Sequence, residues 1–352
     1  MIAVDAMGGD FSPQVAVRAA YAAARLGVII SLFGDQHVLK ALLDEEDVRW
    51  SRFGLTIVDC SQSIGMGEDA VRAVVSKNDS SLVQALRAVA QGDALAVVTA
   101  GHSGAVLVAA SLHVGRLKGV SRPAIGSFIP TLGEPVFCID LGANPDAKPE
   151  QLRQFALMGA VFVKQQKDKE KPRVGLLSNG VEPYKGCATV KGAYALLNEP
   201  SAHFNFGGNC EPTHIFEGLF DVIVCDGFVG NIMLKSVETT VKTMMVLLSK
   251  EFSVSWLGRI VGYWARPFFR RVKLKVDYSR WGGALLLGVK KPVIIAHGSS
   301  DAEALKNAIL FAADVAAENS IKHFGERVEL VLGEEVERVV SKKLNSEVES
   351  YL

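Results

Sequence analysis

Short apolar runs, each breaking into a polar glycine-rich loop and then a helical pattern, recur along the chain. The sharpest is DVIVCDGFVGNIMLK, from Asp221 to Lys235. Its run from Val222 to Cys225 is rich in β-branched side chains and stops at Asp226-Gly227, which predicts a buried parallel strand ending in a turn. A helix follows. Gly227 and Gly230 leave the loop backbone uncrowded beside Phe228, and Asn231 stands near the helix start, where free N–H groups can face an anion. The same shape returns in IAVDAMGGD from Ile2, AVVTAGHSGA from Ala96, VFCIDLGANPD from Val136, RVGLLSNGVEPYKG from Arg173 and PVIIAHGSSDA from Pro292. Strands alternating with helices predict an α/β fold with a doubly wound, mostly parallel sheet. In such a sheet these loops lie beyond the carboxyl ends of the strands. One shared crevice at one rim is the expectation.

Between the runs, Ser12-Pro13 reads as a helix opening with a hydroxyl cap and a proline in the first position. Residues Gly67 to Asn78 read as helical, and Asp79-Ser80-Ser81 as the cap of a second helix ending near Gly92. A long helix from about Gly230 to Lys250 leads into Phe252 to Val276, which holds six basic residues and no acidic ones. At about 100° per residue, Arg259, Arg266, Arg270 and Lys273 share one face, while Leu257, Val261, Trp264 and Phe268 lie opposite. Pro267 is expected to kink or split this arm. A basic amphipathic helix with aromatics fits an anionic lipid surface or an acidic partner protein, and it equally fits packing on the body or in a dimer interface. The chain is divided into one α/β domain over 1–325, with the helical arm at about 236–276, and a surface helix or tail over 326–352.

Composition narrows the class. The 352 residues are 49% hydrophobic and 22% charged, which suits a soluble globular protein. A formal net charge of zero gives no global pull toward nucleic acid, so any electrostatic recognition must be local. Five scattered cysteines without CxxC spacing suggest neither a zinc site nor a disulfide framework. With no signal-peptide pattern and no apolar span of about 18 residues, a cytoplasmic protein is expected.

The loops carry the candidate chemistry. Gly8 and Gly9 of MGGD let backbone approach a ligand beside Asp10, although the spacing is not that of a dinucleotide fingerprint. In TAGHSGA, Gly101, His102 and Ser103 at a helix start can hold a phosphate-like anion. Asn144 follows the strand ending at Asp140, and both Asp140 and Asp226 read as buried acceptors or as catalytic acids. Lys185 can supply a point charge, and HGSSD places His297, Ser299 and Asp301 in a loop with Lys306 about a turn beyond. GxSxG, HExxH and P-loop motifs are absent, so covalent or metal-dependent chemistry has little support.

Together AVDAMGGD, TAGHSGA, DLGANPD, VCDGFVGNIMLK, DYSRWGGALLLG and HGSSDA resemble the bacterial phosphate acyltransferase family PlsX, the fatty acyl-ACP:phosphate acyltransferases, from Ile2 to about Ala312. The resemblance implies transfer of a long-chain acyl group from acyl carrier protein to inorganic phosphate, an early step of phospholipid synthesis, with no metal or other cofactor. It implies a three-layer αβα sandwich of the phosphotransacetylase and isocitrate dehydrogenase type, and a homodimer. Lys185 and Asn209 match family positions, but SNGVEPYKG and CEPTH depart from the usual NIGEE-type and VEGRD segments. On this basis Lys185, Asn231, His102 and Asp226 are expected to act in catalysis, and the remaining loop residues to bind phosphate or substrate. Arg259, Trp264, Arg266, Arg270, Arg271 and Lys273 are expected to meet the carrier or a membrane. A short-chain acyl-CoA phosphotransacylase and a non-catalytic acyl or phosphate sensor are the rival readings.

Overall fold

The apolar runs become short strands, buried on both faces except at the two edges of the sheet, which is why most read as continuous rather than alternating. In chain order these are β1 (Ile2–Asp5), β2 (Ile30–Gly34), β3 (Leu55–Asp59), β4 (Ala96–Thr99), β5 (Ala124–Ile129), β6 (Val136–Ile139), β7 (Arg173–Leu177), β8 (Asn205–Cys210), β9 (Val222–Val224), β10 (Ala284–Leu287) and β11 (Val293–Ile295). The helices are α1 (Gln14–Ala24), α2 (Gln36–Glu46), α3 (Ala70–Ser76), α4 (Ser81–Gln91), α5 (Ser103–Ala109), α6 (Pro149–Lys167), α7 (Ala188–Leu197), α8 (Pro212–Glu217), α9 (Gly227–Val254), α10 (Trp256–Val276) and α11 (Ala302–Ala317). This computed structural model describes residues 1–276, 282–317 and 323–335, the last of these helical.

The eleven strands among the described residues join one sheet in the order β3-β2-β1-β4-β11-β10-β5-β6-β9-β7-β8. Alternate strand residues enter two cores. Ile2, Val4 and Ile139 meet α1, α6 and α11 on one face, whereas Ala3, Val97 and Cys138 meet α4 and α5 on the other. The result is the expected three-layer αβα sandwich. Phe324, Val328 and Leu332 of the last helical run enter the first core. There Arg153 of α6 meets Glu335 at 2.7 Å.

Strand direction overturns the expectation of a single rim. β3, β2, β1, β4 and β11 run together. β10 opposes both β11 and β5, and β6 opposes β5. Because β9, β7 and β8 then follow β6, their carboxyl ends point the opposite way from those of β1, β4 and β11. The glycine loops therefore form two groups.

Two local expectations also change. Ser12 does not cap α1; its hydroxyl instead donates to the Gly8 carbonyl and ties down the preceding loop. Pro267 lies inside an unbroken α10, and the arm divides at Ser255, whose Oγ accepts the Gly258 N–H at 2.9 Å. Pro267 is exposed, so water can reach the carbonyl one turn earlier that a proline leaves unbonded. α9 and α10 pack as a hairpin through Phe252 and Phe269, 5.4 Å between ring centroids. Its outer surface exposes Leu247, Trp256, Leu257, Trp264 and Phe268.

Candidate functional site

The first loop group follows β1, β4 and β11. It is pinned by Asp5, a buried carboxylate that accepts from Ser81 Oγ at 2.6 Å, Thr99 Oγ1 at 2.7 Å and the Met7 N–H at 3.2 Å. Burial pushes the Asp5 carboxyl above its ordinary value, against the pull of these donors. The loops touch backbone to backbone. A Cβ on Gly8 would lie 2.8 Å from the Gly101 nitrogen, so only glycine permits this approach. The Asp10 N–H donates to the Gly298 carbonyl at 2.8 Å, bringing Gly9, Asp10 and the His297–Ser299 loop together.

His102 caps α5, its Nδ1 accepting the Ala105 N–H at 3.2 Å, which in a neutral ring leaves the hydrogen on Nε2. Ser103 opens that helix beside it. Asp301 serves α11 in the same way through the Ala304 N–H at 2.8 Å. Lys306 pairs with Glu303 at 2.6 Å.

The second group follows β6, β7 and β9. Asp140 is fully buried, and its carboxylate accepts from the N–H groups of Ile125, Gly142, Ala143 and Asn144 and from Asn144 Nδ2. Burial raises its carboxyl despite those donors. Such an arrangement fixes a loop. The Gly227 N–H donates to the Asn144 carbonyl at 2.8 Å, and Asp226 Oδ1 caps α9 by accepting from Val229 at 2.9 Å. Two of the donors at this helix start are thus engaged within the protein. Gly230 faces the Asp140 carbonyl, and Asn231 lies against Gly142, where an added Cβ would sit 3.6 Å from the Asn231 Cγ. Phe228 is exposed beside them.

Lys185 belongs to the β7 loop of this second group. Its backbone N–H donates to the Glu182 carbonyl at 3.0 Å, and its ammonium stands 5.9 Å from the Tyr184 ring centre. Asn209 is buried and donates through Nδ2 to the same carbonyl at 2.8 Å. Lys185 and Asn231 therefore stand at neighbouring strand ends, whereas His102 belongs to the other group.

One helix joins the two groups. α9 leaves the second group at Asn231, and Glu238, seven residues or about 10 Å further along, comes within 3.7 Å of His297 Nε2 in the first group. Sequence reasoning passed over Glu238 and Asp5. Both carried a signal: Asp5 is an acid inside an apolar run, and Glu238 continues the buried stripe of Gly227 and Gly230 along α9.

On the arm, Arg266 lies over Tyr263 and Arg271 over Phe268, with Arg259 donating to the Ser253 carbonyl and Trp264 exposed. The side chains of Arg270 and Lys273 lie outside the described residues. No helix among the described residues is long and apolar enough to cross a membrane.

Residues 1–323 match a family model described as Fatty acid synthesis protein. The chain is 43% identical over 314 residues to Phosphate acyltransferase of Dictyoglomus turgidum, covering 88% of this chain and 92% of that protein. It is 41% identical over 329 residues to Phosphate acyltransferase of Geobacter sulfurreducens, covering 93% and 94%. Among solved structures, EutD phosphotransacetylase from Staphylococcus aureus matches with a TM-score of 0.57 at 17% identity, over 90% of this chain and 93% of that one. A phosphotransacetylase from Streptococcus pyogenes gives 0.56 at 19%, over 90% and 94%. At these identities the structural likeness shows the fold alone.

Proposed function

The chain belongs to the phosphate acyltransferase family, and we propose that it moves a long-chain fatty acyl group from acyl carrier protein to inorganic phosphate. The product is an acyl phosphate that enters phospholipid synthesis. The observation supporting this most directly is the close packing of three glycine loops through Gly8, Gly101 and Gly298 around the start of α5. That surround of backbone and small side chains suits a compact anion.

Inorganic phosphate is already nucleophilic and a thioester is already activated, so positioning and charge stabilisation supply most of the catalysis. Asn231 donates to the developing oxyanion, worth about 3 kcal/mol for a typical donor. Lys185 supplies positive charge from the same loop group, and Asp226 holds the helix start. Gly8, Gly9, Asp10, Gly101, Ser103, His297 and Ser299 contact phosphate or the carrier's thioester from the other group.

The arm takes the chain and the partner. A cavity of about 480 Å³ inside the α9–α10 hairpin is lined by Met245, Leu248, Phe252, Tyr263 and Phe269. Met245 lies fourteen residues beyond Asn231 on α9, about 21 Å along the axis. A long acyl chain spans that length and an acetyl group does not. The basic residues Arg259, Arg266 and Arg271 meet an acidic carrier or an anionic membrane surface, and the exposed apolar side chains cover one another in a homodimer.

Hydroxylamine trapping of acyl phosphate from palmitoyl carrier protein and phosphate tests the reading. Product from the parent protein and loss of at least about a hundredfold in Lys185→Ala and Asn231→Ala are expected. Product from acetyl-CoA alone would favour a short-chain phosphotransacylase, and no product from either donor a sensor.

A further inference from the structure

Glu238 is out of place on its helix. α9 is largely exposed beyond its first turns, yet Glu238 is only 9% exposed, and its Oε1 has no protein partner among the described residues. Its Oε2 points to His297 Nε2 at 3.7 Å. A buried carboxylate with so little compensation is costly. At the far side of the ring, His297 Nδ1 accepts the Ser299 N–H at 3.2 Å and lies 2.9 Å from Ser299 Oγ. With Nδ1 an acceptor, the neutral ring carries its hydrogen on Nε2, facing Glu238.

We infer that His297 is the proton carrier of the reaction and that Glu238 is its positioning residue, holding the Nε2–H tautomer and facing the imidazolium that forms when Nδ1 takes a proton. The inference rests on the proposed acyl transfer. In that reaction a phosphate oxygen forms a bond to the acyl carbon as the carbon–sulfur bond breaks. The single proton of hydrogen phosphate must reach the departing thiolate, giving acyl phosphate and free thiol. Ser299 Oγ, exposed beside Nδ1, passes that proton to the ring as it gives up its own, and the ring returns it to sulfur. His102 lacks one of these supports. Its Nδ1 likewise accepts a backbone N–H, at 3.2 Å from Ala105, but no carboxylate pairs with it among the described residues.

The 3.7 Å separation exceeds hydrogen-bond reach, and such contacts commonly tighten only when substrate is bound. Since Glu238 and Asn231 ride on the same helix, ordering of one loop group by substrate sets the carboxylate against the ring in the other.

The test uses the full chain. In ¹⁵N-histidine NMR of the parent protein, the signal lost in His297→Gln should report Nε2–H in the neutral ring; an Nδ1–H tautomer overturns the proposal. In the acyl phosphate assay, His297→Gln should lower kcat by about a hundredfold or more. Glu238→Gln, which keeps shape, should lower kcat at least about tenfold while KM for phosphate stays within about twofold. The double variant should be no slower than His297→Gln alone. Parent-like kcat in Glu238→Gln, or losses that multiply in the double variant, would overturn it. Absence of acyl phosphate from the parent protein would count against the proposed function instead, and the tautomer would still decide the pairing.

Discussion

Gly230→Ala is the sharpest test of how α9 is seated. The added methyl would collide with the Asp140 carbonyl oxygen and come within 2.9 Å of Cys225 Sγ and 3.0 Å of the Asp140 carbonyl carbon. Two of these atoms are backbone, in a peptide whose side chain is tied to four N–H groups, so no rotamer change relieves the contact. Overpacking of this kind costs about 1–3 kcal/mol, and more where backbone must move. Alanine returns up to about 1 kcal/mol of helix propensity, so with backbone placing the cost at the upper end of that range the net loss is about 2 kcal/mol. Urea unfolding followed by circular dichroism measures it, with Gly67→Ala as the control, since a Cβ there meets nothing within 4 Å. The control should stay within about 0.5 kcal/mol of the parent. Turnover should fall with stability in Gly230→Ala, because Asn231 is the next residue and leans on Gly142. A variant as stable and as active as the parent would refute the claim that close backbone contact sets the helix.

Further expectations follow from other contacts. Ser81→Ala removes a 2.6 Å donor from the buried Asp5 and should cost about 1–3 kcal/mol in urea unfolding. Glu335→Ala leaves Arg153, 11% exposed at its side chain, without its carboxylate and should cost about 2–4 kcal/mol, whereas replacing both by apolar residues should cost less. Asp140→Asn tests pH linkage. Because burial raises the folded-state carboxyl above its unfolded value, its contribution is complete below the unfolded value and is lost as pH rises through the folded one. The variant lacks that loss, so its melting temperature minus the parent's should become more positive from acid toward neutral pH.

How far the sequence disclosed this fold depends on which interactions are local. The run from Val222 and the pair Asp226-Gly227 announce a buried strand and a helix start because two-faced burial and capping are written within a few residues. Strand direction is not local. Ala124–Ile129 and Ala284–Leu287 are buried almost throughout, a pattern that does not say which way they run, and their three antiparallel pairings together reverse the second half of the sheet. The loop motifs were therefore legible as loops, while their division into two groups was not. His102 and His297 look alike in sequence, each before a Gly or Ser in a polar loop. What separates them is a carboxylate on a helix whose contact with the loop after β11 depends on tertiary packing.

The reversal also changes what α9 must do. In a sheet with one orientation, every loop reaches a ligand from the same rim and a crossover helix need only cover the sheet. With the two halves opposed, loops that end at opposite edges can act on one substrate only if some element carries side chains from one group toward the other. α9 begins at the second group, rises about 1.5 Å per residue and contacts His297 of the first through Glu238. The glycine seats at Gly227 and Gly230 then serve more than packing, because they fix the end of the helix from which both Asn231 and Glu238 are measured out. A shift of α9 displaces both together. For that reason variants at Gly142 that loosen Asn231 should also raise the mobility of the His297 ring in NMR relaxation, although Gly142 belongs to the loop group at the opposite edge of the sheet. An unchanged ring in such a variant, with Asn231 displaced, would mean that the two groups act independently.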